Sequence, residues 1–98
     1  MEVAFEDETL RRLEVDPRFT AGLDAAIVKA FRKRMQLIRA AVDERTFYAM
    51  TSLHYEKLRG DREGQRSMRL NGQWRLILRV KQDEAGKLVV IISIVDYH

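Results

Sequence analysis

One segment limits the possible folds more than any other: Leu88-Val89-Val90-Ile91-Ile92-Ser93-Ile94-Val95. β-Branched side chains crowd the preceding turn of a helix but sit well on a pleated surface. The run therefore predicts a strand. It has no polar alternation, which predicts a central strand covered on both faces. Such a strand needs neighbours on each side and a packed layer, and it delivers Asp96-Tyr97-His98 to a sheet edge.

The neighbours are legible upstream. Asp61-Arg62-Glu63-Gly64 reads as a turn, followed by two extended stretches, Gln65 to Leu70 and Gln73 to Val80, joined across Asn71-Gly72. Asp83-Glu84-Ala85-Gly86 reads as the next turn. Two hairpin registers are possible. A two-residue loop pairs Leu70 with Gln73 and mixes apolar and cationic groups on both faces. A type I turn with Gly72 as a G1 bulge pairs Arg69 with Gln73 instead. Met68, Trp74, Leu76 and Leu78 then gather on one face, and Ser67, Arg69, Arg75 and Arg79 on the other. The bulged register is the expected one because it alone yields a clean core face.

The packed layer comes from the N-terminal half. Val3-Ala4-Phe5 reads as a short strand, and Asp7 caps a short helix that presents Leu10 and Leu13 and ends at Asp16-Pro17. From Asp24, a second N-cap, Ile27, Phe31, Met35, Ile38 and Val42 recur at helical spacing beside Ala30 and Ala41. Lys29, Arg32, Lys33, Gln36 and Arg39 form the hydrated side of this helix. Asp43 to Ser52 has no clean periodicity, so a short helix or irregular turn plugs the core edge there, with Thr46, Phe47, Tyr48 and Met50 as packing residues. The expected architecture is α+β, a strand and helices packed on an antiparallel β-meander.

A chain of 98 residues buries about two-thirds of its unfolded surface, which predicts a single domain over 1–98. Without cysteine it has no thiolate nucleophile and no cysteine-based zinc pattern. His54 and His98 lack a second ligand at zinc spacing, so no metal is expected. No glycine cluster lies between a strand and a helix, which argues against nucleotide cofactors. The start, Met1 to Glu8, is acidic where a signal peptide is basic, and no apolar run reaches membrane-spanning length. The cytoplasm is the expected location.

Charge is segregated. Glu2, Glu6, Asp7, Glu8, Glu14 and Asp16 crowd the start, whereas Lys57, Arg59, Arg62, Arg66, Arg69, Arg75, Arg79 and Lys81 fill the middle. Such segregation points to contact with a polyanion. Cleaving RNA through its own 2′-hydroxyl needs a base, an acid and cations around the phosphorane. Arginine supplies bidentate cations, and His98 titrates near neutrality, with Asp96 or the terminal carboxylate to fix its tautomer. Tyr97 is suited to stacking on a base or donating to phosphate.

Two motifs, Lys57-Leu58-Arg59-Gly60-Asp61-Arg62-Glu63-Gly64-Gln65 and Ser67-Met68-Arg69-Leu70-Asn71-Gly72-Gln73-Trp74-Arg75-Leu76, resemble the HigB branch of the RelE toxin superfamily. Asp96-Tyr97-His98 resembles its C-terminus. The resemblance implies a RelE-like ribonuclease fold, a cognate helix-turn-helix antitoxin of HigA type, and cleavage of messenger RNA on the ribosome. Operator DNA is then reached only through the antitoxin. It also implies catalytic roles for Arg59, Arg69, Arg75, Asp96, Tyr97 and His98, with Lys57, Arg62, Arg66 and Arg79 binding RNA. One departure stands out: some members carry histidine where this chain has Glu56, and His54 lies two residues earlier. That departure shifts proton transfer from His54 to His98. A non-catalytic RNA- or ribosome-binding module, or a degenerate toxin that retains only antitoxin binding, would use the same basic face.

Overall fold

A computed structural model describes residues 1–83 and 86–96. The expected turn at Asp83 to Gly86 falls partly outside them, at Glu84 and Ala85, as do Tyr97 and His98. In chain order the elements are β1 (Glu2–Phe5), α1 (Glu8–Val15), α2 (Ala25–Ala40), α3 (Arg45–Ala49), β2 (Glu56–Lys57), β3 (Arg66–Asn71), β4 (Trp74–Asp83) and β5 (Gly86–Asp96). Short 3-10 turns at Thr51–Leu53 and Gly60–Arg62 flank β2.

The strands form one sheet in the order β1-β5-β4-β3-β2. From β2 to β5 it is the expected antiparallel meander. β1 makes the sheet mixed, because it joins β5 in parallel, Val3 opposite Val89 and Phe5 opposite Ile91. The connection from β1 to β5 runs through three helices and the strands β2 to β4, far longer than the dozen residues that parallel pairing requires.

The helices pack on one face of the sheet. Leu13, Phe31, Met35 and Ile38 meet Met68, Leu76, Leu78, Val89 and Ile91 in one core, with Phe47 and Leu53 closing its edge. The β5 run is therefore covered by helices on one face only. On the other, Val90 is buried but Leu88, Ser93 and Val95 stay partly accessible. A register shift between Ile77 and Leu78 lets Ile94 rejoin the core face after Ile91.

Asp7 caps α1, its carboxylate accepting from the Thr9 N–H at 2.8 Å. Asp24 precedes α2 as expected, but only its backbone carbonyl serves the helix, and its side chain makes no capping bond. The helical stripe stops short of Val42, which is 84% exposed. The reason is local. Ala41 is already extended, and the Met1 ammonium takes the carbonyls of Ile38, Arg39 and Ala41 at 3.2, 2.9 and 2.7 Å. The supposed hydrated side of α2 is also partly structural, since Arg32 donates to the carbonyls of Leu13, Asp16 and Phe19, and Arg39 grips Glu14 with two bonds of 2.7 Å.

Candidate nucleic-acid site

The hairpin turns differently from either sequence-based register. Asn71 pairs with Trp74 across a loop of Gly72 and Gln73, and Arg69 pairs directly with Arg75. The register shift falls between Arg69 and Asn71, so Leu70 and not Gly72 is the extra residue. Gly72 takes a positive φ of 28° at the first loop position, where glycine is favoured. Arg34, which no pattern in the sequence singles out, stabilises the irregular backbone: its guanidinium donates to the carbonyls of Arg69 at 2.9 Å and Leu70 at 3.4 Å. Burial pushes its pKa down. The observed pairing is two residues out from the expected one, and a shift of two leaves every side chain on its face. Met68, Trp74, Leu76 and Leu78 thus still point to the core, and Ser67, Arg69, Arg75 and Arg79 away from it.

Ile77 lies among the outward residues and is nonetheless fully buried. Arg75 beside it is only 13% exposed along its side chain. Its Nε donates to Ser67 Oγ at 2.5 Å, one Nη donates to the His54 carbonyl, and the same nitrogen lies 3.6 Å from Glu56 Oε1. Arg69 Nη1 meets His54 Nε2 at 3.2 Å. A guanidinium has donors only, so this contact is a hydrogen bond when Nε2 carries a lone pair and the ring proton sits on Nδ1. Two cations directly opposed across strands repel, and here the imidazole, carbonyl, hydroxyl and carboxylate between them hold the pair together.

His54 reaches this position through a strained backbone. It ends the 3-10 turn in the left-handed region at φ 46° and ψ 47°, a conformation uncommon for a side chain larger than glycine. That conformation aims its carbonyl at Arg75. Glu56 in place of a family histidine argues against His54, yet the sequence carries a signal for it. In Leu53-His54-Tyr55-Glu56, the first and third residues are buried and the second and fourth exposed. Period-two alternation puts His54 and Glu56 on one side. Glu56, opposite Ser67 in the β2–β3 register, accordingly joins the arginines.

The remaining candidates disperse. Arg79 shares the arginine face two steps along β4, opposite Val90. Arg66 lies on the core side of the sheet edge, its Nε 2.9 Å from Glu44 Oε2, and Arg62 donates to Gln65 Oε1 at 3.2 Å. Lys57 and Arg59 are exposed and line an open groove of about 880 Å³ beside β2, together with Tyr48, Tyr55, Glu56 and Arg66. Asp96 pairs with Trp74, one residue past Val95, so strand alternation sets it on the face opposite Arg75. Tyr97 and His98 lie outside the described residues. Of the expected packing residues near α3, Phe47 is fully buried, whereas Tyr48 is 47% exposed.

Tyr55 anchors the segment that carries His54 and Glu56. Its ring packs on Phe47 with centroids 5.2 Å apart, and its hydroxyl donates to Glu44 Oε2 at 2.7 Å. Burial, then the bond to the Glu44 carboxylate, pushes its pKa well above the ordinary 10.0. A raised pKa means that folding favours the neutral phenol. The stabilisation is fully present below about pH 10 and is lost as the pH rises toward the folded-state value. The urea midpoint of the protein is expected to fall above pH 10 more steeply than that of Tyr55→Phe. Equal alkaline slopes for the two proteins would refute this linkage.

The chain is thus an α+β protein with its helices on one sheet face and an arginine pair on the other. The profile of RelE-like toxins of the type II toxin–antitoxin system HigB matches residues 3–98, and the chain belongs to that family. Members of this toxin superfamily are generally endoribonucleases. Among solved structures, a YoeB/ParE toxin from Agrobacterium tumefaciens is similar over 100% of this chain and 99% of its own, with a TM-score of 0.63 and 19% identity. YafQ from E. coli strain BL21(DE3) is similar over 97% and 91%, with a TM-score of 0.59 and 12% identity. The YoeB-YefM complex from Staphylococcus aureus is similar over 100% and 97%, with a TM-score of 0.58 and 20% identity. No curated protein matches the chain by sequence.

Proposed function

We propose that this toxin is an endoribonuclease of messenger RNA that uses the RNA's own 2′-hydroxyl to attack the adjacent phosphate. The observation that carries the reading is the directly opposed pair Arg69 and Arg75 with His54 Nε2 and Glu56 at its rim. Two guanidiniums side by side suit the non-bridging oxygens of a phosphate whose charge grows in the transition state. Glu56 acts in the free protein as a stand-in for that anion, and the substrate phosphate takes its place at Arg75.

In this mechanism Arg69 turns from His54 Nε2 onto the substrate phosphate, and the lone pair so released on Nε2 takes the 2′-hydroxyl proton. The O2′–P bond forms as the P–O5′ bond breaks, leaving a 2′,3′-cyclic phosphate and a 5′-hydroxyl. His98 gives the proton to the departing 5′-oxygen, a role that rests on the family resemblance of the terminal residues. Arg59, Lys57 and Arg79 extend the cationic surface for flanking phosphates.

The family's type II character supports a cognate antitoxin, for which we propose a helix-turn-helix protein of HigA type. We also propose that the toxin acts in the cytoplasm on mRNA in the ribosomal decoding site, and that it meets operator DNA only through the antitoxin. Induction of the toxin alone followed by mapping of mRNA ends tests the reading. New 5′-hydroxyl ends within coding regions are expected together with growth arrest. Arrest without new ends would favour a non-catalytic ribosome-binding module, and no arrest a degenerate toxin.

A further inference from the structure

We infer that the groove beside β2 is a nucleotide subsite in which Tyr48 stacks on a base of single-stranded RNA while Lys57 and Arg59 hold its phosphates. The inference rests on the RNA-directed reading above and extends the site around the sheet edge. Glu56 is the shared wall, lining the groove on one side and lying 3.6 Å from Arg75 on the other. A strand of RNA with its scissile phosphate at Arg75 therefore reaches the groove with its neighbouring nucleotide.

Three observations carry the assignment. First, Tyr48 is a large ring left nearly half accessible, yet it is fixed. Its edge-to-face contact with Tyr55 has centroids 4.8 Å apart and planes at 81°. Tyr55 is itself held by Phe47 and Glu44. A preset aromatic in a cationic groove is the arrangement on which bases stack, at about 1–3 kcal/mol per base.

Second, the charges in the groove divide into committed and uncommitted. Arg66 is neutralised by Glu44 and Glu56 by Arg75, whereas Lys57 and Arg59 make no ion pair among the described residues. Third, Lys57 and Arg59 are two positions apart along extended backbone, so they share a side about 6.6 Å apart. Tyr55 precedes them on the same alternation. Glu63 completes the lining as an acceptor suited to an exocyclic amino group of a base.

The test is fluorescence anisotropy with a short labelled single-stranded RNA bearing 2′-O-methyl groups throughout, which the protein cannot cleave by 2′-hydroxyl attack. Tyr48→Ala is expected to weaken binding about tenfold, and Tyr48→Phe to bind as the parent does because the ring remains. The double variant Lys57→Ala/Arg59→Ala is expected to lower the slope of log affinity against log salt by about 1.4, the value for two phosphates on a single strand. The subsite is overturned if folded Tyr48→Ala binds like the parent, if Tyr48→Phe loses as much as alanine, or if the parent does not bind. Should Tyr48→Ala fail to fold, an unchanged salt slope in the double variant overturns it equally. Binding that depends on Tyr48 without new mRNA ends on induction would sink the ribonuclease reading and leave the subsite. Normal mRNA ends with Tyr48→Ala indifferent would do the reverse.

Discussion

Arg75→Ala is expected to lower RNA cleavage by at least about 100-fold, the usual cost of removing one donor that stabilises transition-state charge, and to abolish growth inhibition on induction. Arg75 does more than present charge. It bridges β3 through Ser67 Oγ, holds the His54 carbonyl, and faces Glu56. Its removal therefore loosens the proposed base as well as the phosphate cradle. Arg75→Lys separates these roles, because an ammonium keeps the charge but lacks the planar fork that reaches several acceptors at once. Lysine should consequently restore only a small part of the activity. Circular dichroism and thermal melting show whether each variant is folded, and undiminished toxicity in a folded Arg75→Ala protein would remove the arginine pair from the mechanism.

Phe47→Ala is expected to have the largest effect on stability, a loss of about 3–5 kcal/mol for a fully buried aromatic. Against a total of about 5–15 kcal/mol for a domain of this kind, that is a large share. At about 4–8 °C per kcal/mol for a domain of this size, the melting temperature should fall by more than about 12 °C. The position is informative because Phe47 supports the ring of Tyr55, and Tyr55 lies between His54 and Glu56. Activity should therefore decline at temperatures where the variant is still mostly folded. A melting temperature within a few degrees of the parent would mean that the α3 edge of the core has repacked.

Much of the fold was readable because its signals are local. Alternation, helical spacing and the cap at Asp7 depend on neighbours within a turn or a pleat, and they placed α1, α2, the hairpin strands and β5. Errors arose where a distant group intervened. Val42 continues the helical spacing, but the chain leaves the helix at Ala41, where the Met1 ammonium binds the last carbonyls. Gly72 looked like the bulge, but the extra residue is Leu70, whose carbonyl Arg34 of α2 supports. Neither partner is near in sequence.

The candidate site divides in the same way. The sequence by itself determined that Arg69 and Arg75 share a face, because side-chain direction in a strand has period two and survives a two-residue error in register. It also determined the family, through motifs that need no knowledge of geometry. Only the tertiary structure decided which cations remain available. Glu44 reaches Arg66 from the turn that opens α3, while Lys57 and Arg59 keep their charge uncommitted among the described residues. Only the tertiary structure, too, returned His54 and Glu56 to the arginine pair, because the left-handed turn at His54 and the β2–β3 pairing join segments far apart along the chain. Patterns along a chain record which way a side chain points. Which charges meet depends on contacts between elements that no local pattern encodes.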